Sequence, residues 1–171
     1  MALLTHKRPE AALVLSDGRI FRGRSAGAPG LASGETVFNT SMTGYQEILT
    51  DPSYTGQLVT LTVAHVGNTG WNAEDMESRA IAAAGLIVNR MTEVPSNARS
   101  ERALVDVLRE EGIVAITDID TRALTMHLRS TGAQPGAIVA AEKGELTEAD
   151  LEKAKTAAAS WGQMVGQDLA S

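Results

Sequence analysis

Residues Phe38 to Tyr54 read FNTSMTGYQEILTDPSY, and the interpretation of the whole chain depends on this stretch. It is dense in short hydroxyl, amide and carboxylate side chains, and Gly44 and Pro52 interrupt it. Such side chains hydrogen-bond to nearby backbone and so compete with regular secondary structure. The stretch therefore encodes either a tightly specified turn–helix–turn or a surface that presents hydroxyl groups to a ligand or partner.

Inside the stretch, Thr43-Gly44-Tyr45-Gln46 matches a capping box. In that motif the Thr43 hydroxyl would cap the first turn, and Gln46 would reach back to the cap amide. The pattern predicts a short helix over Tyr45 to Leu49. That helix should stop at Asp51, because a residue that precedes proline avoids the α region.

Upstream, Ala12 to Leu15 and Ile20 to Gly23 are short apolar runs joined by Ser16-Asp17-Gly18-Arg19. Asp-Gly between two apolar runs predicts a hairpin with a type I′ turn. The sequence GAPGLASG over residues 27–34 is typical of a loop, and Glu35 to Phe38 then reads as a strand.

Downstream, the pattern alternates between strands and helices, which indicates the α/β class. The predicted strands are Gln57–Val63, Ala84–Val88, Ile113–Ile116 and Ala137–Ala141. The predicted helices are 74–80, Ser100–Glu111 with a left-handed cap at Gly112, Thr121–Arg129, and Leu151–Ala159 after a box-like cap over residues 147–150. Residues 65–72 and 91–99 are interpreted as a loop and a linker-like segment.

Composition excludes several classes of function. The chain has 171 residues, 43% hydrophobic and 21% charged, with a formal net charge of −6. Its 15 Lys and Arg form no basic stripe, which argues against nucleic acid and anionic membrane surfaces as partners. No apolar run approaches the length of a membrane span, and the polar N-terminus is unlike a signal peptide.

The chain contains no cysteine. This excludes disulfides, thiolate metal sites and a cysteine nucleophile in these residues, and it fits a cytoplasmic protein. A hydrolase would need another nucleophile with a base, and the histidines are His6, His65 and His127. His65, beside a Gly/Asn-rich loop, is the one of interest, and we favour a loop-packing role for it over a catalytic one.

Asp118 and Asp120 stand on one side of an extended segment. A metal site would need further ligands at a suitable spacing, and none recurs. We therefore interpret Asp120 as a cap that also complements the dipole of the following helix, and we expect Arg122 to form a local ion pair. From the residues alone, the chain looks like a binding or assembly module and not a self-sufficient enzyme.

The quoted stretch, the following QLVTLT and the V-G-N-x-G loop closely resemble the small subunit of glutamine-hydrolysing carbamoyl phosphate synthase. ALVLSDGRIFRGR upstream and GIVAITDIDTRALTMHLRSTGA downstream extend the likeness over roughly Ala12 to Ala140. The resemblance implies a three-layer β/β/α swivelling-type domain with mixed sheets and about three helices. The expected organisation is a tail over 1–10, the N-terminal domain over 11–158, and over 159–171 the start of a linker to a glutaminase domain.

In the resembled enzyme, a ligase, carbamoyl phosphate is made from bicarbonate, glutamine and ATP for arginine and pyrimidine synthesis. The small subunit is a glutamine amidotransferase whose second domain holds the catalytic Cys. The large subunit carries ATP and Mg²⁺ or Mn²⁺. The resemblance implies that Ser53 of the DPSY turn contacts L-glutamine in the complete subunit. The alternative is that Ser53 is a turn hydroxyl that satisfies local backbone.

We therefore expect a domain that docks on the large subunit and completes the glutamine site. It should hold no metal, cofactor or catalytic residue of its own, and be inactive in isolation. A free-standing interaction or regulatory domain of the same fold is the alternative. A small hydrolase that uses Ser53 or Ser41 with His65 is a remote third hypothesis.

Overall fold

A computed structural model of the protein describes residues 8–42, 44–67, 80–92 and 103–170. The strands in these ranges are β1 (Glu10–Leu15), β2 (Ile20–Ser25), β3 (Gly30–Asn39), β4 (Gln57–Leu61), β5 (Gly85–Val88), β6 (Val114–Thr117) and β7 (Gln134–Ala140). The helices are α1 (Tyr45–Thr50), α2 (Leu104–Glu110), α3 (Thr121–Thr131) and α4 (Glu148–Ala170), and Pro52–Tyr54 form a 3-10 turn. None of the helices in these ranges is long and apolar enough to span a membrane.

The strands form one sheet that closes into a barrel in the order β1-β2-β6-β5-β4-β3-β7. Strands β3, β4, β5 and β6 run parallel to one another, and the remaining pairings are antiparallel. The predicted α/β class with mixed strand directions is confirmed, with four α-helices in the described ranges instead of about three. Opposite walls of the barrel supply two strand layers, and helices pack outside them, consistent with a three-layer domain.

Alternation along the strands divides the core into an inner and an outer part. Leu13 and Leu15 of β1 belong to the cluster that fills the barrel. Ala12 and Val14, on the other face of the same strand, pack against Leu151 of α4. A third cluster covers β4, β5 and β6 from outside and includes the fully buried side chains of α2. The period of two along a strand therefore decides which layer each side chain joins.

Helix α3 covers one end of the barrel. It begins directly after β6, and its buried Leu124 and Leu128 belong to the interior cluster. The parallel strands β3 to β6 all end on one side of the sheet, at Asn39, Leu61, Val88 and Thr117. We call this side the carboxyl edge, and both open α/β sheets and closed α/β barrels commonly place ligands at the carboxyl ends of their parallel strands.

The hairpin was predicted correctly, but its turn type was not. The amide of Gly18 donates to the Leu15 carbonyl at 2.9 Å, and the Leu15 amide donates to the Arg19 carbonyl at 2.9 Å. Gly18 has a φ of 95°, and Asp17 does not have the positive φ that a type I′ turn demands. The connection is therefore a three-residue loop that ends in a left-handed glycine.

The glycine-rich run over residues 27–34 is only partly the predicted loop, because β3 begins at Gly30. From there the strand pairs with β7, with Gly30 opposite Ala140 and Gly34 opposite Gly136. A Cβ on Gly34 would lie 2.4 Å from the carbonyl oxygen of Gly56. Glycine is needed at this position because another backbone approaches the strand closely.

The predicted helix ends are largely confirmed. Gly112, with φ 72°, follows α2, and the Ile113 amide donates to the Leu108 carbonyl as in a Schellman motif. Before α4, the Thr147 amide donates to the Asp150 carboxylate at 2.9 Å, and the Asp150 amide donates to the Thr147 hydroxyl. Helix α4 runs beyond the predicted end at Ala159 to Ala170, since no proline stops it.

Several predicted segments lie wholly or partly outside the described residues. These are the start of the N-terminal tail, most of the 65–72 loop, nearly all of the 74–80 helix and the 91–99 linker, and the first residues of the 100–111 helix. The described part of that last helix is α2.

Candidate functional site

The polar stretch from Phe38 to Tyr54 runs from the end of β3 through α1 and the 3-10 turn toward β4. Helix α1 was predicted correctly from Tyr45, and it runs one residue beyond the predicted end, to Thr50. Its N-cap residue is Gly44 and not Thr43, and Gly44 lies in the left-handed region at φ 80° and ψ 26°. The hydrogen bonds predicted for the capping box involve Thr43, which lies outside the described residues, and Gln46, a buried residue of the helix.

The DPSY turn, residues 51–54, is where the predicted ligand residue lies. Asp51 ends α1 in an extended conformation, as predicted from Pro52, and its carboxylate accepts the Ser53 amide at 2.9 Å. The Thr55 hydroxyl donates to the Pro52 carbonyl at 2.8 Å. The turn backbone is thus fixed from both sides by short side chains.

Ser53 itself is exposed, and its hydroxyl makes no hydrogen bond among the described residues. The polar groups of the turn backbone are satisfied by Asp51 and Thr55, and not by the Ser53 hydroxyl. A serine hydroxyl can donate one hydrogen bond and accept others. The turn therefore holds a free hydroxyl on a fixed backbone.

Asn39, at the carboxyl end of β3, ties this turn to the barrel. Its side-chain nitrogen donates to the Tyr54 hydroxyl at 2.8 Å, and its side-chain oxygen accepts the Ser41 amide at 2.8 Å. Its carbonyl accepts both the amide and the hydroxyl of Thr62, the residue after β4. Sequence reasoning did not single out Asn39. Its only signal was an amide at the end of a predicted strand.

The residues considered for hydrolysis are not assembled into a catalytic group. His65 is exposed, and none of the serine hydroxyls in the described ranges bonds to a histidine. His6 lies outside those ranges. His127 instead approaches Asp17, with 2.6 Å between its Nε2 and the carboxylate. Partial burial raises the pKa of Asp17, but hydrogen bonds from Gln134, the Arg19 amide and His127 outweigh it and leave the pKa below its usual value.

The two aspartates after β6 have structural roles. Asp120 accepts the Ala123 amide at 2.9 Å, which confirms the predicted cap of α3. Asp118 has a φ of 64°, and its amide donates to the Asn89 carbonyl at 2.9 Å. No group of three or more His, Asp or Glu suited to a metal occurs in the part of the chain that the structure describes. The local ion pair expected for Arg122 is likewise not formed there.

A groove of about 480 Å³ lies at the carboxyl edge, between α3 and the ends of β3 and β4. Its walls are Thr40, Thr62, Thr121, Arg122, Thr125, Met126 and Arg129. The groove has no signature in the sequence, because Thr40 and Thr62 meet α3 only through the tertiary fold.

Comparison with known proteins identifies the family. The sequence profile described as carbamoyl-phosphate synthase small chain, CPSase domain, matches residues 13–138. The carbamoyl phosphate synthase small chain of Neisseria gonorrhoeae is 58% identical over 160 residues, which is 94% of this chain and 41% of that protein. The small chain of Polynucleobacter necessarius is 52% identical over 99% of this chain and 43% of its own length, and that of Vibrio cholerae is 56% identical over 94% and 41%.

The fold and these matches define the N-terminal α/β domain of a synthase subunit. The chain belongs to the carbamoyl-phosphate synthase small chain family, as the sequence resemblance indicated. It spans about two fifths of the length of the relatives it matches.

Proposed function

We propose that this chain is the part of a glutamine-dependent carbamoyl phosphate synthase small subunit that contributes Ser53 to the glutamine site. The observation that carries the proposal is the DPSY turn, in which the backbone is fixed by Asp51 while the Ser53 hydroxyl stays exposed and unpaired among the described residues. Membership in the carbamoyl-phosphate synthase small chain family supports the assignment of this turn to that enzyme.

In this proposal the chain binds and positions, and the reactions occur elsewhere. A second domain of the small subunit supplies the cysteine that attacks glutamine, since this chain has no Cys. The large subunit binds ATP with Mg²⁺ or Mn²⁺ and uses the released ammonia to make carbamoyl phosphate in the cytoplasm, for arginine and pyrimidine synthesis. This domain holds no cofactor of its own and joins the small subunit to the large one by docking on the large subunit.

The direct test is Ser53→Ala in the complete small subunit assembled with the large one. Loss of one hydrogen bond to the substrate weakens binding by about 1 to 1.5 kcal/mol, so KM for glutamine should rise roughly tenfold. Synthesis from added ammonia should be unchanged, because ammonia bypasses the glutamine site. Steady-state kinetics with each nitrogen source measure both.

Ser41→Ala is the matched control, because Ser41 is an exposed serine of the same stretch. Its KM for glutamine should equal that of the unmodified enzyme. An unchanged KM in Ser53→Ala, or an equal rise in both variants, would contradict the role of Ser53.

The proposal also predicts that the purified 171-residue chain releases no ammonia from glutamine. Detectable glutaminase activity in that chain, measured by coupled ammonia assay, would contradict the assignment of the chemistry to another domain. Failure of the chain to bind the large subunit would favour the free-standing interaction domain that the sequence left open.

A further inference from the structure

The groove at the carboxyl edge carries an unusual charge for this protein. The chain has a formal net charge of −6, yet the residues that line the groove include Arg122 and Arg129 and no carboxylate. Neither arginine forms an ion pair with any residue in the described ranges. The groove is therefore a cationic surface on an acidic molecule.

The arginines belong to one face of α3. Arg122, Thr125, Met126 and Arg129 follow the i, i+3, i+4, i+7 spacing of a single helical face. Arg129 also lies over the ring of Phe38, with its guanidinium carbon 5.4 Å from the ring centroid. Such a contact limits the motion of the side chain and leaves its donors available for a carboxylate.

The same face exposes apolar surface. Met126 is 61% exposed, and Met42, two residues from the groove residue Thr40, is 75% exposed. Together with Leu31 they are the large hydrophobic side chains that stand exposed in the described ranges. Methionine and arginine are enriched at protein–protein interfaces, where Lys and Glu are depleted.

Thr125 adds an unpaired polar group. The residue is 7% exposed and lines the groove, and its buried hydroxyl has no hydrogen-bond partner among the residues that the structure describes. A threonine in a helix ordinarily donates to the carbonyl one turn earlier. The helix does not satisfy this hydroxyl, which leaves a polar group without a partner in the wall of the groove.

We propose that this groove is the docking surface for the synthase large subunit, which inserts an acidic segment between Arg122 and Arg129 and covers Met126. This inference rests on the proposed function, because it takes the large subunit as the partner. Charge complementarity selects the acidic segment, and the exposed methionines select a protein surface over a small anion.

The experiment measures binding of this chain to the large subunit of the same organism by titration calorimetry or sedimentation. The double variant Arg122→Glu/Arg129→Glu should bind about 100-fold more weakly than the unmodified chain, since each reversal removes a central arginine contact. Binding by the unmodified chain should also weaken as salt rises.

The matched control is Arg109→Glu/Lys143→Glu. Both of its residues are exposed and lie away from the groove, and Arg109 occupies the last turn of α2 as Arg129 does that of α3. The two double variants change the net charge equally. The control should bind within about twofold of the unmodified chain, because surface charges outside an interface contribute little.

Met126→Glu provides a second variant whose folding is not in question, because the residue is exposed. It should weaken binding about tenfold. Circular dichroism confirms the fold of each variant before binding is measured.

Equal binding by the unmodified chain and by the groove variants overturns the inference and leaves the proposed function standing. Equal losses in the groove and control variants also overturn it, because net charge alone would then be responsible. If the unmodified chain does not bind the large subunit, both the docking role and this inference fail. A dimer of the chain alone that the groove variants abolish would assign the groove to a second copy and overturn the inference.

Discussion

At the scale of single residues, the DPSY turn shows which side chains are occupied by structure and which one is free. Asp51 and Asn39 are both engaged, the first with the Ser53 amide and the second with the Tyr54 hydroxyl. The sequence predicted Ser53 through a motif whose residues are contiguous. It did not reveal Asn39, because the partner of Asn39 is 15 residues away and meets it only in the fold.

The Asn39–Tyr54 hydrogen bond should contribute measurably to stability. Tyr54→Phe removes only the hydroxyl, and we expect it to lower the free energy of unfolding by about 1 kcal/mol. Asn39→Ala should lower it further, because the Ser41 amide loses its acceptor as well. Urea denaturation of both single variants and the double variant isolates the pair in a double-mutant cycle. Strictly additive changes would show that the two side chains do not interact in solution.

At the scale of elements, a helix or strand boundary was predicted correctly when the residues that determine it lie close together in the sequence. The caps at Gly112, Asp120 and Thr147 lie within one turn of the helices they end or begin, and all three were predicted. The start of α1 at Tyr45 was also predicted, but its N-cap residue is the left-handed Gly44 and not Thr43. The start of β3 was not predicted, because its glycines pair with β7 and are approached by the backbone of Gly56, and both are distant in sequence.

Helix α3 should stabilise the barrel through the side chains it inserts. Leu124 is fully buried in the interior cluster, so Leu124→Ala should lower the free energy of unfolding by about 2 to 5 kcal/mol. Met126→Ala, on the exposed face of the same helix, should change it by less than about 0.5 kcal/mol. Chemical denaturation followed by circular dichroism measures the free energy of unfolding of both variants. Similar losses in both variants would contradict the assignment of the buried face.

At the scale of the whole molecule, long-range contacts decide what the sequence could not show. The α/β class followed from alternating patterns, but closure of the sheet depends on β7 meeting both β1 and β3. The groove likewise combines Thr40 and Thr62 with residues of α3. Neither the closure of the sheet nor the groove corresponds to a regular spacing of residues along the chain, so both can be recognised only in the three-dimensional structure.

Asp17 makes one such long-range contact dependent on pH. Its carboxylate accepts hydrogen bonds from His127 and Gln134, which joins the β1–β2 hairpin to α3 and β7. Its pKa is lowered in the folded state, so the ionised form stabilises the fold above the unfolded value of 3.8. That contribution is lost as the pH falls through the lower folded pKa.

Asp17→Asn should therefore be less stable than the unmodified chain by about 1 kcal/mol near neutral pH. The difference should begin to shrink as the pH falls below the unfolded value of 3.8, and it should be lost as the pH passes through the lower pKa of the folded state. Urea unfolding at several pH values between about 3 and 7 measures it. A difference that stays constant over this range would show that the ionisation of Asp17 does not contribute.

Closure of the sheet also leaves the barrel with a seam. Strands β2 and β6 are joined by two registered pairs, Arg24 with Thr117 and Ser25 with Ile116, and the backbone after β2 adds two hydrogen bonds, from the Ala26 amide to the Ala115 carbonyl and from the Ala28 amide to the Ile113 carbonyl. Strands β3 and β7, in contrast, share seven registered pairs. Every strand of the closed barrel is paired on both sides. We therefore expect the barrel to open first between two strands that share few backbone hydrogen bonds. Amide hydrogen exchange should accordingly be faster along this seam than along the β3–β7 ladder, and the barrel would unroll from the hairpin while α4 still holds β1 and β7 together.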